Sequence, residues 1–277
     1  GFILGLVFVP GLWSVVEWLF PAAMAAFLAL GVWALRLMGA FWGRVLAEGG
    51  FDCSRNNSFV QLLPAFALAM VGVGLAAPAA MSATPWIAGA SFVASSFFVT
   101  AAVLVGAVKL FLGARAMMEH GADAASAPSL WIAVPIVTVI AIALMRQEHG
   151  AHAHFMGDAT PAATFAMLTR LLAVQIAFGL LGWVVLRRQG YFGRFVLGRE
   201  VSPGAYALVC PGVALTVMLQ FFVNKGLVGV GIMEKFGLAY WMVTALPIAL
   251  QLATIALVLR LNALHFAPRK RASPHAA

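Results

Sequence analysis

The stretch PWIAGASFVASSFFVTAAVLVGAVKLFL, residues 85–112, decides the fold class. It contains a single charged residue, Lys109, near its end. A helix needs about 20 mostly apolar residues to cross the hydrocarbon core of a bilayer, so this stretch predicts a membrane-spanning helix. A barrel strand would instead alternate apolar and polar residues over about ten positions, a pattern that is absent here.

The rest of the chain has the same character. Of its 277 residues, 63% are hydrophobic and 9% are charged, and the mean hydropathy is +0.99. A soluble domain carries roughly 25% charged residues, so the composition excludes a soluble enzyme, a disordered chain and a nucleic-acid-binding domain. The chain shows no nucleotide-binding loop, catalytic triad or cofactor motif. We therefore predict an all-α polytopic membrane protein embedded in the lipid bilayer, without catalytic activity and without a cofactor.

Eight apolar runs predict eight membrane spans. The first run begins at the start of the chain, which has no initial methionine, so we expect that the chain lacks an N-terminal part. The predicted spans, in one transmembrane domain over residues 1–277, are 2–20, 21–43, 57–77, 85–112, 128–146, 161–187, 204–224 and 236–262.

The distribution of basic residues predicts the orientation in the membrane. The connections after spans 2, 4 and 6 and the C-terminal end hold 13 of the 17 lysines and arginines, and the other connections hold three. Cytoplasmic loops collect lysine and arginine, so this split places both chain ends in the cytoplasm, as expected for a bacterial inner-membrane protein. The 13 residues are Arg36, Arg44, Arg55, Lys109, Arg115, Arg187, Arg188, Arg194, Arg199, Arg260, Arg269, Lys270 and Arg271, against Arg146, Lys225 and Lys235.

Proline follows a repeat along the spans. Each odd span has an interior proline, which breaks a backbone hydrogen bond and kinks a helix, whereas spans 2, 4 and 6 have proline at or next to their starts, where its cost is small. The pattern predicts helical hairpins, each with one kinked and one straighter helix. The interior residues are Pro10, Pro64, Pro135 and Pro211, and the starting ones are Pro21, Pro85 and Pro161.

Polar side chains lie on the same odd spans. Three of them on span 7 recur every four residues, which places them on one helix face. We predict that the odd helices form an inner ring around a central pore, lined by these residues and by the prolines; alternatively, each polar group bonds its own helix backbone. The polar residues are Ser14, Glu17, Asn57, Gln61, Thr138, Thr216, Gln220 and Asn224.

Two ionisable residues lie within or near the end of a span, where charge is costly and often functional. Arg170 is about 15 Å into span 6, at 1.5 Å per residue. Glu17 is near the external end of span 1. Two interpretations stay open: the residues line the path, with Arg170 pairing with Glu17 or meeting an anion, or they are structural or snorkelling charges.

Two stretches resemble the tellurite-resistance/C4-dicarboxylate transporter and slow-anion-channel family. WIAGASFVASSFFVTAAVLVGAVKLFL, residues 86–112, leads through a polar loop into PSLWIAVPIVTVIAIALM, residues 128–145, similar to the family's sixth and seventh helices. FGLAYWMVTALPIALQLATI, residues 236–255, resembles the family's aromatic-rich helix, as SPGAYALVCPG, residues 202–212, does more loosely. The register against the family is therefore open between these two stretches.

The resemblance implies ten helices as five hairpins around a central pore, kinked odd helices inside, and a trimer. Four hairpins in this chain fit a protein whose first hairpin is missing. The resemblance also implies that a phenylalanine on an inner helix occludes the pore. The aromatic candidates for this gate are Tyr206, Phe221 and Phe222 on span 7 and Phe66 on span 3, with core or lipid packing as the alternative for each.

Three of the six histidines, His149, His152 and His154, crowd one predicted external loop with Glu148 and Asp158. Imidazole and carboxylate groups are ligands for zinc or copper, so the three histidines are a candidate metal site. The spacing lacks a pair four residues apart on a predicted helix. A solvated loop near the pore mouth, or a pH sensor, are the alternatives.

Three functions are compatible with the sequence. The first is a channel or uniporter for small anions such as chloride, nitrate, sulfite, tellurite-like oxyanions or dicarboxylates. The second is a proton-coupled transporter of small organic or oxyanion substrates, with Glu17 or Arg170 as the coupling group. The third is a membrane metalloprotein, against which the absence of paired histidines deep in the spans argues.

Overall fold

A computed structural model describes residues 11–52, 54–157 and 160–266. In these residues the secondary structure is helical, and strands are absent. The seven α-helices are α1 (Leu12–Glu48), α2 (Leu63–Met81), α3 (Pro85–His120), α4 (Ala133–His154), α5 (Pro161–Arg188), α6 (Val209–Phe221) and α7 (Leu238–Phe266). Seven helical segments of this part of the chain are long and apolar enough to cross a membrane. The prediction of a helical membrane protein is therefore confirmed.

Six of the seven segments correspond to predicted spans 3–8 and begin within two residues of the predicted starts. The predicted turn between spans 1 and 2 is wrong, because α1 runs without interruption through Pro21. Alanine, leucine and methionine surround this proline without a turn-forming residue, so the helix continues at the cost of one backbone hydrogen bond. Pro10 and the other residues before position 11 lie outside the described residues.

The sequence predicted that the prolines at 64, 135 and 211 lie in the interior of helices. In the structure each of them lies in the first turn of an α-helix. A 3₁₀ turn precedes each of α2, α4 and α6, and the α-helix begins one or two residues before the proline. The turns are Phe59–Leu62, Ala127–Trp131 and Pro203–Leu208. In the first turn of a helix the missing N–H has no intrahelical partner to lose, so these prolines mark the change from a 3₁₀ turn to an α-helix.

Burial separates the helices into two groups. In an apolar stretch of 18 residues within Phe59–Met81 and within Ala127–His154, which contain α2 and α4, 50% and 56% of the residues are buried, and in that of Pro203–Leu227 33% are buried. In the corresponding stretches of α1, α3, α5 and α7 only 17–28% of the residues are buried. Helix α4 lies between α2 and α6, while the more exposed helices cover the outside. We call the three helices with the higher burial, α2, α4 and α6, the inner helices; they lie in the predicted spans 3, 5 and 7.

Hydroxyl groups hold the hairpin of α2 and α3 together. Ser91 donates to the backbone carbonyl of Leu75, and Ser95 Oγ donates to the carbonyl of Gly72 at 2.7 Å. Gln147 of α4 donates to Ser95 Oγ at 2.7 Å, which links a third helix to the pair. Such bonds join membrane helices because lipid offers polar groups no other partner.

Candidate functional site

A charged cavity of about 440 Å³ lies at one end of the inner helices. Arg146 of α4 and Lys225, in the π turn Phe222–Leu227 that continues α6, both line it. Arg146 Nη1 donates to the carbonyl of Val73 at 2.9 Å, which anchors the guanidinium against α2. Glu148 and His149 also line this external cavity, on the side that the distribution of basic residues predicts to face outward.

The two cations of the external cavity have no carboxylate at contact distance among the described residues. In the part of the chain that the structure describes, the salt bridges within 4.0 Å are formed by other residues, and neither Arg146 nor Lys225 takes part in one. The carboxylate of Glu148 instead accepts a hydrogen bond from Thr164 Oγ1 at 3.3 Å, on α5. The cavity therefore presents two positive groups to any small molecule that enters it, with one carboxylate at the side.

A second cavity, of about 240 Å³, lies among the first turns of the same three helices. Its lining is almost entirely apolar and includes Phe66 of α2, Pro135 of α4 and Pro211 of α6. Leu63 and Phe66 of α2 line the apolar cavity, and Ala80 and Met81 of the same helix line the external one. About 14 residues separate Phe66 from Ala80, or roughly 20 Å at 1.5 Å per residue. This apolar cavity therefore lies at the opposite end of the inner helices, which the distribution of basic residues predicts to face the cytoplasm.

Two of the four aromatic gate candidates lie on these cavities. Phe66 lines the apolar cavity, and Phe221 lines the external one. Tyr206 faces α7 instead, because its hydroxyl donates to Asn262 Oδ1 at 2.7 Å. Phe222 stacks on Phe165 of α5 with ring centroids 5.8 Å apart, so its ring packs between two helices.

The three polar residues of span 7 line one cavity, as their spacing predicts. Thr216, Gln220 and Asn224 face a space of about 440 Å³ between α6 and α7, opposite Gln251 and Thr254. Their hydrogen bonds are mostly local: Thr216 Oγ1 donates to the carbonyl of Gly212, and Asn224 Nδ2 donates to that of Gln220. This face thus meets the outer helix α7 and not the other inner helices, so the predicted ring of polar faces is wrong for α6.

Thr138 joins helices instead of lining a cavity. Its hydroxyl oxygen is 3.1 Å from the carbonyl oxygen of Val134 and 3.0 Å from that of Ala214, and the hydroxyl can donate its proton to either one. Gln175 Nε2 of α5 donates to the same hydroxyl at 2.6 Å and to Val134 at 2.9 Å. Because Thr138 and Gln175 are both buried, the network fixes α4, α5 and α6 relative to one another. The sequence analysis missed Gln175, whose polar group within an apolar span is a usable signal.

The polar residues before α2, Asn57 and Gln61, hydrogen-bond to backbone carbonyls and do not line a pore formed by the inner helices. Asn57 Nδ2 donates to the carbonyl of Gly121 at 2.9 Å and so ties the loop before α2 to the end of α3. Gln61 Nε2 donates to the carbonyl of Asn56, and both Gln61 and Pro64 line a groove between α1, α2 and α3. The prediction that these residues share one inner surface with Pro135 and Pro211 is therefore wrong.

Glu17 and Arg170 are not a pair. Glu17 accepts hydrogen bonds from Ser82 Oγ at 2.5 Å and from the N–H of Ala83 at 3.2 Å, and it thereby joins α1 to the turn between α2 and α3. Arg170 is exposed on the outer surface of α5. Ser14 is also exposed and donates to the carbonyl of Gly11. None of the three lines the cavities of the inner helices.

The candidate metal site is not assembled in the described residues, which gather no group of three potential ligands. The histidines belong to the last two turns of α4 and not to a loop. His149 lines the external cavity, while His152 Nδ1 is 2.8 Å from the carbonyl of Gly157 and His154 Nε2 is 2.9 Å from that of Ser82. The separate partners of His152 and His154, and the position of His149 on the cavity, explain why the three rings do not converge on one ion. Asp158 lies outside the described residues.

Arg146 and Lys225 are the site residues that sequence reasoning missed. Both were counted as loop charges, because each follows a long apolar run. The run after Arg146 contains Gln147, Glu148 and His149, which are compatible with a continuing helix, and α4 extends to His154. Comparisons of the chain with protein-family models, curated proteins and solved structures give no match. The resemblance described above therefore stays a prediction.

Proposed function

We propose that the protein moves small anions across a membrane, along the inner helices α2, α4 and α6. The observation that supports this function most directly is the pair of cations in the external cavity. Arg146 and Lys225 come from different inner helices and line one space large enough for a small inorganic or organic anion. Ionisable residues inside membrane proteins commonly mark such pathways.

The path would continue from the external cavity to the apolar cavity at the first turns of the helices. At positions between the two cavities along α2 and α4, Val73, Ile140 and Leu144 pack into one apolar cluster with Val99 of α3. In this proposal the path passes this level as a dry constriction. A dry, apolar constriction of this kind blocks ions because it withholds their hydration. Phe66 borders the apolar cavity and is the preferred gate residue. In this proposal selectivity comes from the radius of the constriction and from the two cations.

A proton-coupled transporter is the second candidate. Glu148 and His149 line the same external cavity as the two cations, so groups that can titrate stand beside the proposed anion site. Glu17 and Arg170, the coupling groups considered from the sequence, are less suitable. Glu17 bonds the turn between α2 and α3, and Arg170 is exposed on the outer surface of α5. The two functions differ in whether a pH gradient alone drives anion accumulation.

Orientation and assembly are also part of the proposal. The distribution of basic residues predicts that the ends of α1, α3, α5 and α7 face the cytoplasm. If each of the seven described helices crosses once, Leu12 lies outside and Phe266 inside. The two chain ends lie outside the described residues, and their cytoplasmic location stays a prediction. A bacterial inner membrane and a homotrimer stay predictions from composition and resemblance.

The decisive experiment measures flux of chloride, nitrate, sulfite and malate into liposomes that contain the purified protein. Arg146→Gln removes a cation from the external cavity, and we expect at least about tenfold lower anion flux, equal to 1.4 kcal/mol. Arg170→Gln is the matched control, because it removes the same charge from an exposed position of α5. Equal flux for the two variants, with both folded, would refute the proposed site.

The same liposomes distinguish the two candidate functions. A channel or uniporter gives flux that reverses at the equilibrium potential of the anion and continues without a pH gradient. A coupled transporter accumulates the anion when only a pH gradient is applied, and Glu148→Gln abolishes that accumulation. Protein that carries none of the four anions would leave both transport proposals without support.

A further inference from the structure

A buried lysine in the outer part of the molecule has no role in the proposed pathway. Lys109 of α3 is only 4% exposed, and its Nζ is 4.6 Å from the ring centroid of Phe41, 4.7 Å from that of Trp42 and 5.2 Å from that of Phe51. Cation–π contacts of this kind stabilise an ammonium, but they do not satisfy its three N–H donors. Within the described part of the chain, the structure gives Lys109 neither a hydrogen bond nor a salt bridge.

The ammonium faces a groove of about 560 Å³ between α1, α2 and α3. Arg55 lines the same groove, and its Nε is 3.4 Å from Asp52 Oδ2. That carboxylate also accepts hydrogen bonds from the hydroxyl and the N–H of Ser54. Lys109, Arg55 and Asp52 together carry one net positive charge, and the described residues that line the groove include no carboxylate to balance it.

The rest of the groove suits the apolar part of a lipid. Leu37 of α1 is 59% exposed and Leu63 of α2 is 49% exposed, and both line the groove. The groove also lies beside the loop that carries Arg55, at the end of α1 predicted to face the cytoplasm. Basic pockets between helices at this depth bind phospholipid headgroups, and acyl chains would cover the exposed leucines.

We propose that this groove binds an anionic phospholipid, with its phosphate accepting hydrogen bonds from Lys109 and Arg55 and its acyl chains along Leu37 and Leu63. The aromatic rings hold the ammonium stem and exclude water around it. The phosphate oxygens supply the acceptors that the described protein groups do not. This site is separate from the external cavity and does not depend on the transport function.

The test uses the full chain in detergent and counts bound phosphatidylglycerol by native mass spectrometry. One basic residue beside a membrane surface is worth about a fivefold change in lipid affinity, so Lys109→Gln is expected to weaken phosphatidylglycerol binding at least fivefold. Arg44→Gln is the matched control, because Arg44 is exposed on α1 and outside the groove. We expect it to bind like the parent, and equal binding by Lys109→Gln and the parent overturns the proposal.

A second variant and a second probe complete the test. Arg55→Gln changes a side chain that is 87% exposed and is expected to fold; about a twofold loss of phosphatidylglycerol is predicted for it. If Lys109→Gln does not fold, an unchanged affinity of Arg55→Gln overturns the proposal. Inorganic phosphate is added to the parent as a competitor. Displacement of the lipid by millimolar phosphate would show a site for the free anion and overturn the lipid assignment.

Discussion

Gly150 of α4 lies at a close contact between two inner helices. A Cβ built on Gly150 would lie 2.8 Å from the carbonyl carbon of Ala79 in α2 and closer still to its carbonyl oxygen. Both distances are shorter than 3.0 Å, a separation below which Cβ atoms essentially never approach other heavy atoms. The obstacle is backbone, which cannot rotate away as a side chain does. We therefore expect Gly150→Ala to separate the two helices near the external cavity, which Ala80 also lines.

The size of the effect follows from two opposing contributions. Overpacking a tight contact costs about 1–3 kcal/mol. Replacing glycine by alanine within a helix recovers up to about 1 kcal/mol of helix propensity. Because the contact is with backbone, we take the upper part of the first range, and the net expectation is a destabilisation of about 1–2 kcal/mol.

Thermal unfolding in detergent measures this prediction, with anion flux as a second readout. Gly39→Ala is the matched control, because Gly39 lies within α1 and a Cβ there meets no atom within 4 Å. We expect Gly39→Ala to leave the melting temperature unchanged or raise it, and Gly150→Ala to lower it. A melting temperature for Gly150→Ala at or above that of Gly39→Ala would show that α2 and α4 do not touch at this point, and the arrangement of the inner helices would be wrong.

Two further predictions concern the gate and the pH dependence. Phe66→Ala should increase anion flux, because it widens the apolar cavity, whereas Phe222→Ala should not, because that ring stacks on Phe165; flux below the parent for folded Phe66→Ala contradicts the gate. Hydrogen bonds from Ser126 lower the pKa of Asp123 below its ordinary value of 3.8, so the carboxylate stabilises the fold above that pH and this contribution is lost as the pH falls through the lowered pKa. Asp123→Asn should therefore melt below the parent at pH 7, and the gap should narrow as the pH falls below 3.8; a gap that does not narrow would contradict the assignment.

The positions of most helices were predictable from the sequence, because the length of an apolar run and a proline at a helix start are local properties. Pro85 and Pro161 begin α3 and α5 as the sequence indicates, since proline at the first position costs no hydrogen bond. Pro21 has the same local signal and yet lies inside α1. Phe20 and Met24, on either side of it, are both buried in one cluster with Leu68 of α2, and a turn at Pro21 would separate them.

The membrane class, the apolar helices and the shared polar face of α6 were thus determined by the sequence alone, because they depend on composition and on the 3.6-residue period of one helix. Which of these faces meet was decided only by tertiary packing. Arg146 and Lys225 are 79 residues apart, and nothing local indicates that they line one cavity. Conversely, the sequence suggested Glu17 and Arg170 as a possible ion pair. In the structure Glu17 accepts a hydrogen bond from Ser82, and Arg170 is exposed on the surface. The distance between side chains on different helices depends on how the helices rotate against each other, and that rotation is fixed by close contacts such as Gly150 with Ala79.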